Sequence, residues 1–204
     1  IRIDHECTDA ISYERESILI DLLRVESERQ KPDAIIFQDY DKGVLTSRVI
    51  GSVTAMAGEL KVPVLVDPKR RNFMAYKEVD LFKPNFKELT EGMGVSLCKN
   101  DHEGIFTVAK KLHTSNGIRN IMVTLSEMGV FISNGQQYQV VPAEVHDIAD
   151  VSGAGDTVIA VASLGMASGL DIFSTARLSN QAGGLVCQKV GVVPISRDLF
   201  ISGR

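Results

Sequence analysis

No run of apolar residues in this 204-residue chain approaches the ~20 that a membrane-spanning helix needs, and no secretory signal is visible. Cysteine is scarce. Cys7, Cys98 and Cys187 are odd in number and far apart, so neither a disulfide framework nor a zinc site is indicated, and a reducing cytoplasm fits best. Basic residues never gather into a block. Lys69, Arg70 and Arg71 form the only cluster, and the net charge of −4 gives no general attraction to nucleic acid or an anionic membrane. His5, His102, His113 and His146 show no metal-ligand spacing. His102 and His113 read as solvated residues of a surface helix or its cap, and His146 as a loop residue or one lining a site. There is no Walker sequence, no Gly-x-Gly-x-x-Gly, no Ser/His/Asp arrangement, no internal repeat, no low-complexity tract and no interdomain linker. The chain opens Ile-Arg-Ile-Asp without an initiator Met, which reads as a start inside a strand and points to a piece of a longer polypeptide.

What is present is an ordinary globular composition, 44% hydrophobic and 24% charged, long enough for one substantial core. Strand-like and helix-like segments alternate. Residues 1–4 suggest a strand stub. Residues 12–29, with Ile18, Leu19, Leu22, Leu23 and Val25 among charges, suggest an amphipathic helix. Strands are expected at 34–37, 62–66, 79–82 and 121–125, and helices at 46–60, from about Asn85, and at 101–115. Residues 130–133 and 138–141 flank Asn134-Gly135, a pair suited to a type I′ hairpin turn. Two helices follow, about 154–168 and 171–189. The pattern predicts an α/β fold: a mainly parallel sheet with helices on both faces and an antiparallel hairpin extension. Ligands bind such sheets beyond the carboxyl ends of the strands.

The segment Gly153-Ala154-Gly155-Asp156 stands where the helix at 154–168 begins. The first N–H groups of a helix lack partners, and its dipole adds positive potential there. Glycines let an anion approach, so the construction favours phosphate, unless the small residues serve only close packing. Asp156 is either a dipole partner or a base that removes a proton from a hydroxyl beside that phosphate. Asn85 and Glu88 form a capping-box pattern, or else help hold a hydrated Mg²⁺. Ser126-Glu127-Met128-Gly129 is a hairpin bend or a turn that brings backbone near a nucleotide. Asp39-Tyr40-Asp41-Lys42-Gly43 is a polar turn or a loop facing sugar and phosphate. Asp67-Pro68-Lys69-Arg70 ends another strand, its bases solvated or receiving phosphate.

Together these residues resemble the PfkB/ribokinase family of carbohydrate kinases. Asp150-Val-Ser-Gly-Ala-Gly-Asp156-Thr157 is similar to that family's C-terminal signature, and Lys83-Pro84-Asn85-Phe-Lys-Glu88 to its metal-associated motif. Asp67-Pro68 and Thr124-Leu-Ser-Glu-Met-Gly129 fall in the family's order. Phe37–Gly43, Asp67–Arg70 and Val190–Ser196 are closest to the heptose 7-phosphate kinase domain of bacterial ADP-heptose synthesis.

The resemblance implies a ribokinase-like fold over 1–204, with ATP and Mg²⁺ as cofactors. It makes Asp156 the general base, and Gly153, Ala154 and Gly155 the anion hole. Asn85 and Glu88 organise Mg²⁺ and water. Thr124, Ser126 and Gly129 line the nucleotide site, with Asn180 close to the adenine, Asn85 among the cofactor-binding residues and Val193 near its wall. The implied reaction moves the γ-phosphoryl group to the anomeric hydroxyl of heptose 7-phosphate, giving a bisphosphate for lipopolysaccharide core synthesis. Alternatives are another sugar or phosphosugar (fructose 1-phosphate, ribose, a nucleoside) or a non-catalytic nucleotide-binding homologue. The family's N-terminal sugar-binding segment and β lid have no counterpart in the sequence, so the chain by itself is expected to be poorly active. The expected partner is a small phosphosugar, with a homodimer expected of the full-length protein.

Overall fold

The computed structural model describes residues 8–143 and 149–198. The strand stub at 1–4, His5, Cys7 and His146 lie outside them. The chain order is α1 (Tyr13–Arg29), β1 (Ile35–Gln38), α2 (Ser47–Leu60), β2 (Val64–Asp67), β3 (Leu81–Phe82), α3 (Phe86–Met93), α4 (His102–Asn116), β4 (Ile121–Thr124), β5 (Val130–Ser133), β6 (Tyr138–Val141), α5 (Ala154–Ala167) and α6 (Ile172–Cys187). One six-stranded sheet runs β1 to β6 in chain order. Strands β1 to β4 are parallel, and β4–β5–β6 are antiparallel. The alternating pattern in the sequence carries directly into this architecture.

Period-two alternation assigns each strand residue to one face of the sheet. Val64, Val66, Phe82, Ile121, Val123 and Phe131 enter a core shared with α2, α3 and α4, while Leu65, Leu81, Met122, Val130 and Ile132 enter a second core under α5 and α6. Strands buried on both sides read as continuous apolar runs, which is why β2 and β4 were legible. Each fully buried large side chain contributes on the order of 1.5–3 kcal/mol over the exposed state.

Caps fix the helix starts. Thr46 accepts from Val49 N–H at 3.2 Å, and Asp101 from Gly104 N–H at 2.9 Å. The five apolar residues expected to share one face of α1 are divided. Leu19 and Leu23 pack on the core, whereas Ile18, Leu22 and Val25 are about 60% exposed. The reason is Glu16, which is buried and ties α1 to α2 through Thr46 Oγ1 and, at 3.2 Å, Arg48 Nη1; this fixes the helix rotation. Strand β1 borders the sheet, with no second neighbour among the described residues.

Two local expectations are corrected. The hairpin does not use a type I′ turn, because only Gly135 has positive φ, at +85°. Asn134 instead accepts from the N–H groups of Gln136 and Gln137 through its side chain, at 3.1 and 3.0 Å, and this closes a four-residue loop. His113 is not solvated either. Its Nδ1 donates to Ile118 O at 2.6 Å, leaving Nε2 to accept from Ser133 Oγ at 3.4 Å, and Ser133 in turn accepts from Gly135 N–H. His102 is also half-buried.

Burial lowers the pKa of His113 from 6.5, against a smaller upward pull from the Ile118 carbonyl. Below pH 6.5 the unfolded chain therefore binds the proton first, so this residue's contribution is complete above pH 6.5 and shrinks as pH falls. The melting-temperature advantage of wild type over His113→Gln should be larger at pH 7.5 than at pH 5, as read by thermal denaturation across that range.

Candidate active site

The carboxyl ends of β1 to β4 converge on the amino end of α5. Gln38 closes β1, Asp67 closes β2, Lys83 follows β3, Thr124 closes β4, and Gly153 to Asp156 begin α5. With Tyr40, Lys69, Asn85 and Glu88, these residues, Ala154 excepted, line a cavity of about 300 Å³. A second cavity, about 380 Å³, lies between the β4–β5 turn and α5–α6 and includes Ser126, Gly129, Ala154 and Asn180. Thr124 and Gly155 line both, so the two spaces meet at the start of α5. A larger hollow, about 1050 Å³, lies at the opposite end of the sheet and contains none of these residues.

The start of α5 is built for close approach. Gly153 is its N-cap at φ +77°, a left-handed conformation that costs other L-residues about 1–2 kcal/mol. Ala154 N–H donates to Val151 O at 3.3 Å, and Thr157 N–H to Gly153 O at 2.9 Å. The N–H groups of Gly155 and Asp156 have no partner among the described residues. Of the three predicted anion-hole residues, Ala154 thus has its N–H already engaged. A Cβ on Gly155 would stand 3.7 Å from Lys83 Nζ, so glycine keeps the space between that ammonium and the helix start open.

Lys83 is the residue that sequence reasoning passed over. It lies in the Lys83–Glu88 motif, and a lysine that follows an apolar buried strand needs an acid beside it. The structure supplies Asp67: Nζ stands 3.1 Å from Oδ2, with the side chains 3% and 8% exposed. Gln38 was missed as well. Its Nε2 donates to Asp67 Oδ2 and to Asp156 Oδ1, both at 3.0 Å. Tyr40 OH reaches the same Asp156 oxygen at 3.5 Å. Loss of water and then the Asp156 charge hold the phenol above its ordinary pKa of 10.0, so it remains a donor.

The loop after β1 is a braced polar turn that also lines the cavity through Tyr40. Asp39 turns inward, 1% exposed, and accepts from Tyr76 OH at 2.9 Å, Asn72 Nδ2 at 3.0 Å and Asp41 N–H at 2.8 Å. Burial and then Asp39 raise Tyr76's pKa well above its ordinary value. That bracing presents Tyr40 to Asp156.

Asn85 and Glu88 do form a reciprocal capping box, with both bonds at 2.8 Å. The remaining Glu88 oxygen pairs with Lys69. Desolvation pulls the Lys69 pKa down, but Glu88, Asp67 and Asp39 outweigh it and keep the amine above 10.5. Both Glu88 oxygens thus already have a partner inside the protein. Among the described residues no three His, Cys, Asp or Glu converge on a metal position.

In the second cavity Ser126 and Gly129 lie on the short 3₁₀ turn joining β4 to β5, so this segment is at once a hairpin bend and a cavity wall. Gly129 adopts φ +88° and ψ −133°, and a Cβ there would meet Val141 O at 2.0 Å. Asn180 is buried and donates to Pro142 O at 2.8 Å. Asp150 holds the entry to α5. Its Oδ1 accepts from Ser152 N–H at 2.9 Å and its Oδ2 from Gly191 N–H at 3.0 Å, and these bonds, those of Ser152 first, lower its pKa from 3.8. Val193 does not line this cavity, but half-buried Cys187 does.

A sheet of this topology, with a glycine-rich helix start at its strand ends, defines an α/β domain suited to binding phosphate groups. Residues 24–198 match the pfkB family of carbohydrate kinases, and the chain belongs to that phosphotransferase family. It is 35% identical over 204 residues to the bifunctional protein HldE of Geotalea uraniireducens, covering 99% of this chain and 41% of that protein. With the protein of the same name from Campylobacter jejuni serotype O:6 the identity is 36% over 200 residues, covering 97% and 41%. The chain thus spans about two fifths of these relatives. Its fold is that of phosphofructokinase-2 from Escherichia coli (TM-score 0.79, 19% identity, 95% of this chain and 62% of that one). It is also that of Arabidopsis thaliana ribokinase, solved with ribose and ATP (TM-score 0.65, 19% identity, 90% and 55%). The expected ribokinase-like architecture is the one found.

Removing the Lys83 ammonium leaves Asp67 charged and buried, so Lys83→Met should destabilise the fold by about 3–5 kcal/mol. Urea unfolding of the variant beside wild type measures this.

Proposed function

We propose that the chain is the kinase part of an enzyme that transfers the γ-phosphoryl group of ATP to the anomeric hydroxyl of heptose 7-phosphate. The observation that carries the reading is the meeting of two cavities at Thr124 and Gly155, with Asp156 on one side and Asn180 on the other. The cavity with Ser126, Gly129 and Asn180 takes the nucleotide, and its phosphates reach past Gly155 toward Lys83. The acceptor sugar lies beside Asp156. The sugar hydroxyl gives its proton to Asp156 as its oxygen bonds to the γ-phosphorus, and ADP leaves with the broken bond's electrons. The Lys83 ammonium and the free N–H groups of Gly155 and Asp156 stabilise the charge on the phosphoryl oxygens.

Mg²⁺, when bound with ATP, neutralises charge between the phosphates. The donor set fits a hydrated ion: Glu88 and Asn85 present oxygens at the cavity wall, already oriented by their capping bonds, and would help hold the ion and its waters. The heptose substrate is supported by the HldE relatives and by the Phe37–Gly43 and Asp67–Arg70 segments. A cytoplasmic enzyme acting as a homodimer is the accompanying expectation. No helix among the described residues is long and apolar enough to cross a membrane.

Asp156→Asn should lower turnover of heptose 7-phosphate at least about 1000-fold while changing ATP affinity less than about threefold, since a base is lost and no phosphate contact is. The assay compares the 204-residue chain and the longest natural polypeptide containing it, over a panel of sugars. If the variant binds ATP but neither it nor wild type phosphorylates any sugar in either length, the reading as a nucleotide-binding module replaces this one. The nucleotide assignment has its own check. ATP should protect Cys187 from alkylation and leave exposed Cys98 reactive, as scored by peptide mass spectrometry at each thiol.

A further inference from the structure

Asp156 receives only two side-chain hydrogen bonds among the described residues, from Gln38 at 3.0 Å and Tyr40 at 3.5 Å, and both fall on Oδ1. Oδ2 has no donor. A carboxylate at this helical position can be held by its own N-cap N–H, as Glu88 is, but among the described residues Asp156 makes no such bond, so its hold comes from outside the helix. Gln38 is placed to supply that hold, because it and Asp67 are register partners at the ends of adjacent parallel strands. The sheet ladder thereby fixes their side chains next to each other on one face. Asp67 is itself anchored by the buried Lys83 ammonium, which shares Oδ2 with Gln38.

We infer that Gln38 is a positioning residue for the proposed base: its single amide nitrogen ties Asp156 to the Lys83–Asp67 ion pair and leaves Oδ2 as the oxygen that faces the acceptor hydroxyl. This rests on the kinase reading above. The chemistry of the amide makes the arrangement one-way. Its nitrogen carries two hydrogens, one for each carboxylate, and the reversed amide would set a carbonyl oxygen 3.0 Å from two anions. The same bonds bring two carboxylates to one nitrogen without a bare repulsion between them. Asp67 is balanced by Lys83, Glu88 by Lys69, and Tyr40 is a neutral donor, so these are the groups that set the charge around Asp156. A glutamine does what neither a shorter amide nor an acid could. Asparagine falls short of α5, and glutamate adds a third anion.

The test uses Gln38→Leu and Gln38→Glu, with Asp156→Asn alongside. Gln38→Leu should lower kcat about 10- to 100-fold, the worth of a hydrogen bond to a charged group, with the KM for ATP and for sugar changed less than threefold. Gln38→Glu should move the acid limb of the pH–rate profile upward by about one pH unit, because an unbalanced carboxylate then faces the base. Independently of turnover, the ¹³C-carboxyl resonance of Asp156 at fixed pH should move and broaden in Gln38→Leu, because the bond that holds the carboxylate in one orientation is gone. Wild-type kcat and an unchanged Asp156 carboxyl resonance in Gln38→Leu overturn the proposal. So does a rise in the sugar KM at constant kcat, which makes Gln38 a sugar ligand. Full turnover in Asp156→Asn overturns Asp156 as the base on which this proposal rests, whereas the kinase reading itself falls only if no sugar is phosphorylated. A dead Asp156→Asn beside an unimpaired Gln38→Leu overturns the positioning role alone. In a chain without measurable turnover, the Asp156 carboxyl resonance decides.

Discussion

A buried lysine facing a buried aspartate holds the working end of this molecule together. Such a pair gains little over a hydrophobic substitute, because taking two charges out of water costs about as much as their attraction returns. Its use is geometric. The Lys83–Asp67 pair joins the segment after β3 to the end of β2, and Gln38 extends it to β1 and α5. Four chain segments are thereby registered to one another at the mouth of the sheet. The apolar cores on the two faces hold the sheet, but they are indifferent to where a side chain at its rim points. The polar chain is not.

The division of labour between the two ends of the sheet follows from this. At the carboxyl ends, polar side chains are satisfied by one another and still line open space. Beneath them, Phe82, Val66 and Val123 are sealed in apolar contact. Asp39 shows how far the protein goes to keep the rim rigid. It is a buried carboxylate with no salt bridge among the described residues, accepting three hydrogen bonds, and its effect is to stiffen the loop that carries Tyr40. The second cavity is shaped differently, by backbone rather than charge. Gly129 allows the β4–β5 turn to pass within reach of Val141, and Asn180 spends its amide on Pro142 O.

Most of the fold was legible in the sequence because buried parallel strands announce themselves as apolar runs and helices as capped periodic segments. The hairpin was legible as a hairpin. Its turn type was not, since Asn134 could serve by adopting positive φ or by capping with its side chain, and the sequence is the same in both cases. The amphipathicity of α1 misled for a related reason. Five apolar residues over eight positions suit more than one helix rotation, and a single buried acid, Glu16, decided between them. At the candidate site, residue types that carry a motif were visible: Gly153, Gly155, Asp156, Asn85 and Glu88. Gln38 and Lys83 were not, because their meaning is entirely relational. A glutamine at a strand end is unremarked until the strand beside it ends in aspartate.

The contact between Gln38 and Asp156 spans 118 residues of chain. No local piece of the sequence can therefore assemble the acid with its support. A helix carrying Asp156 can form early and alone, but the sheet rim it must meet waits on the ordering of every parallel strand between. Loop closure of that length is slow relative to local structure. The site is thus a late product of folding and an early casualty of unfolding. A cut in any loop between β1 and α5, even one far from the cavity, relaxes it before the cores give way.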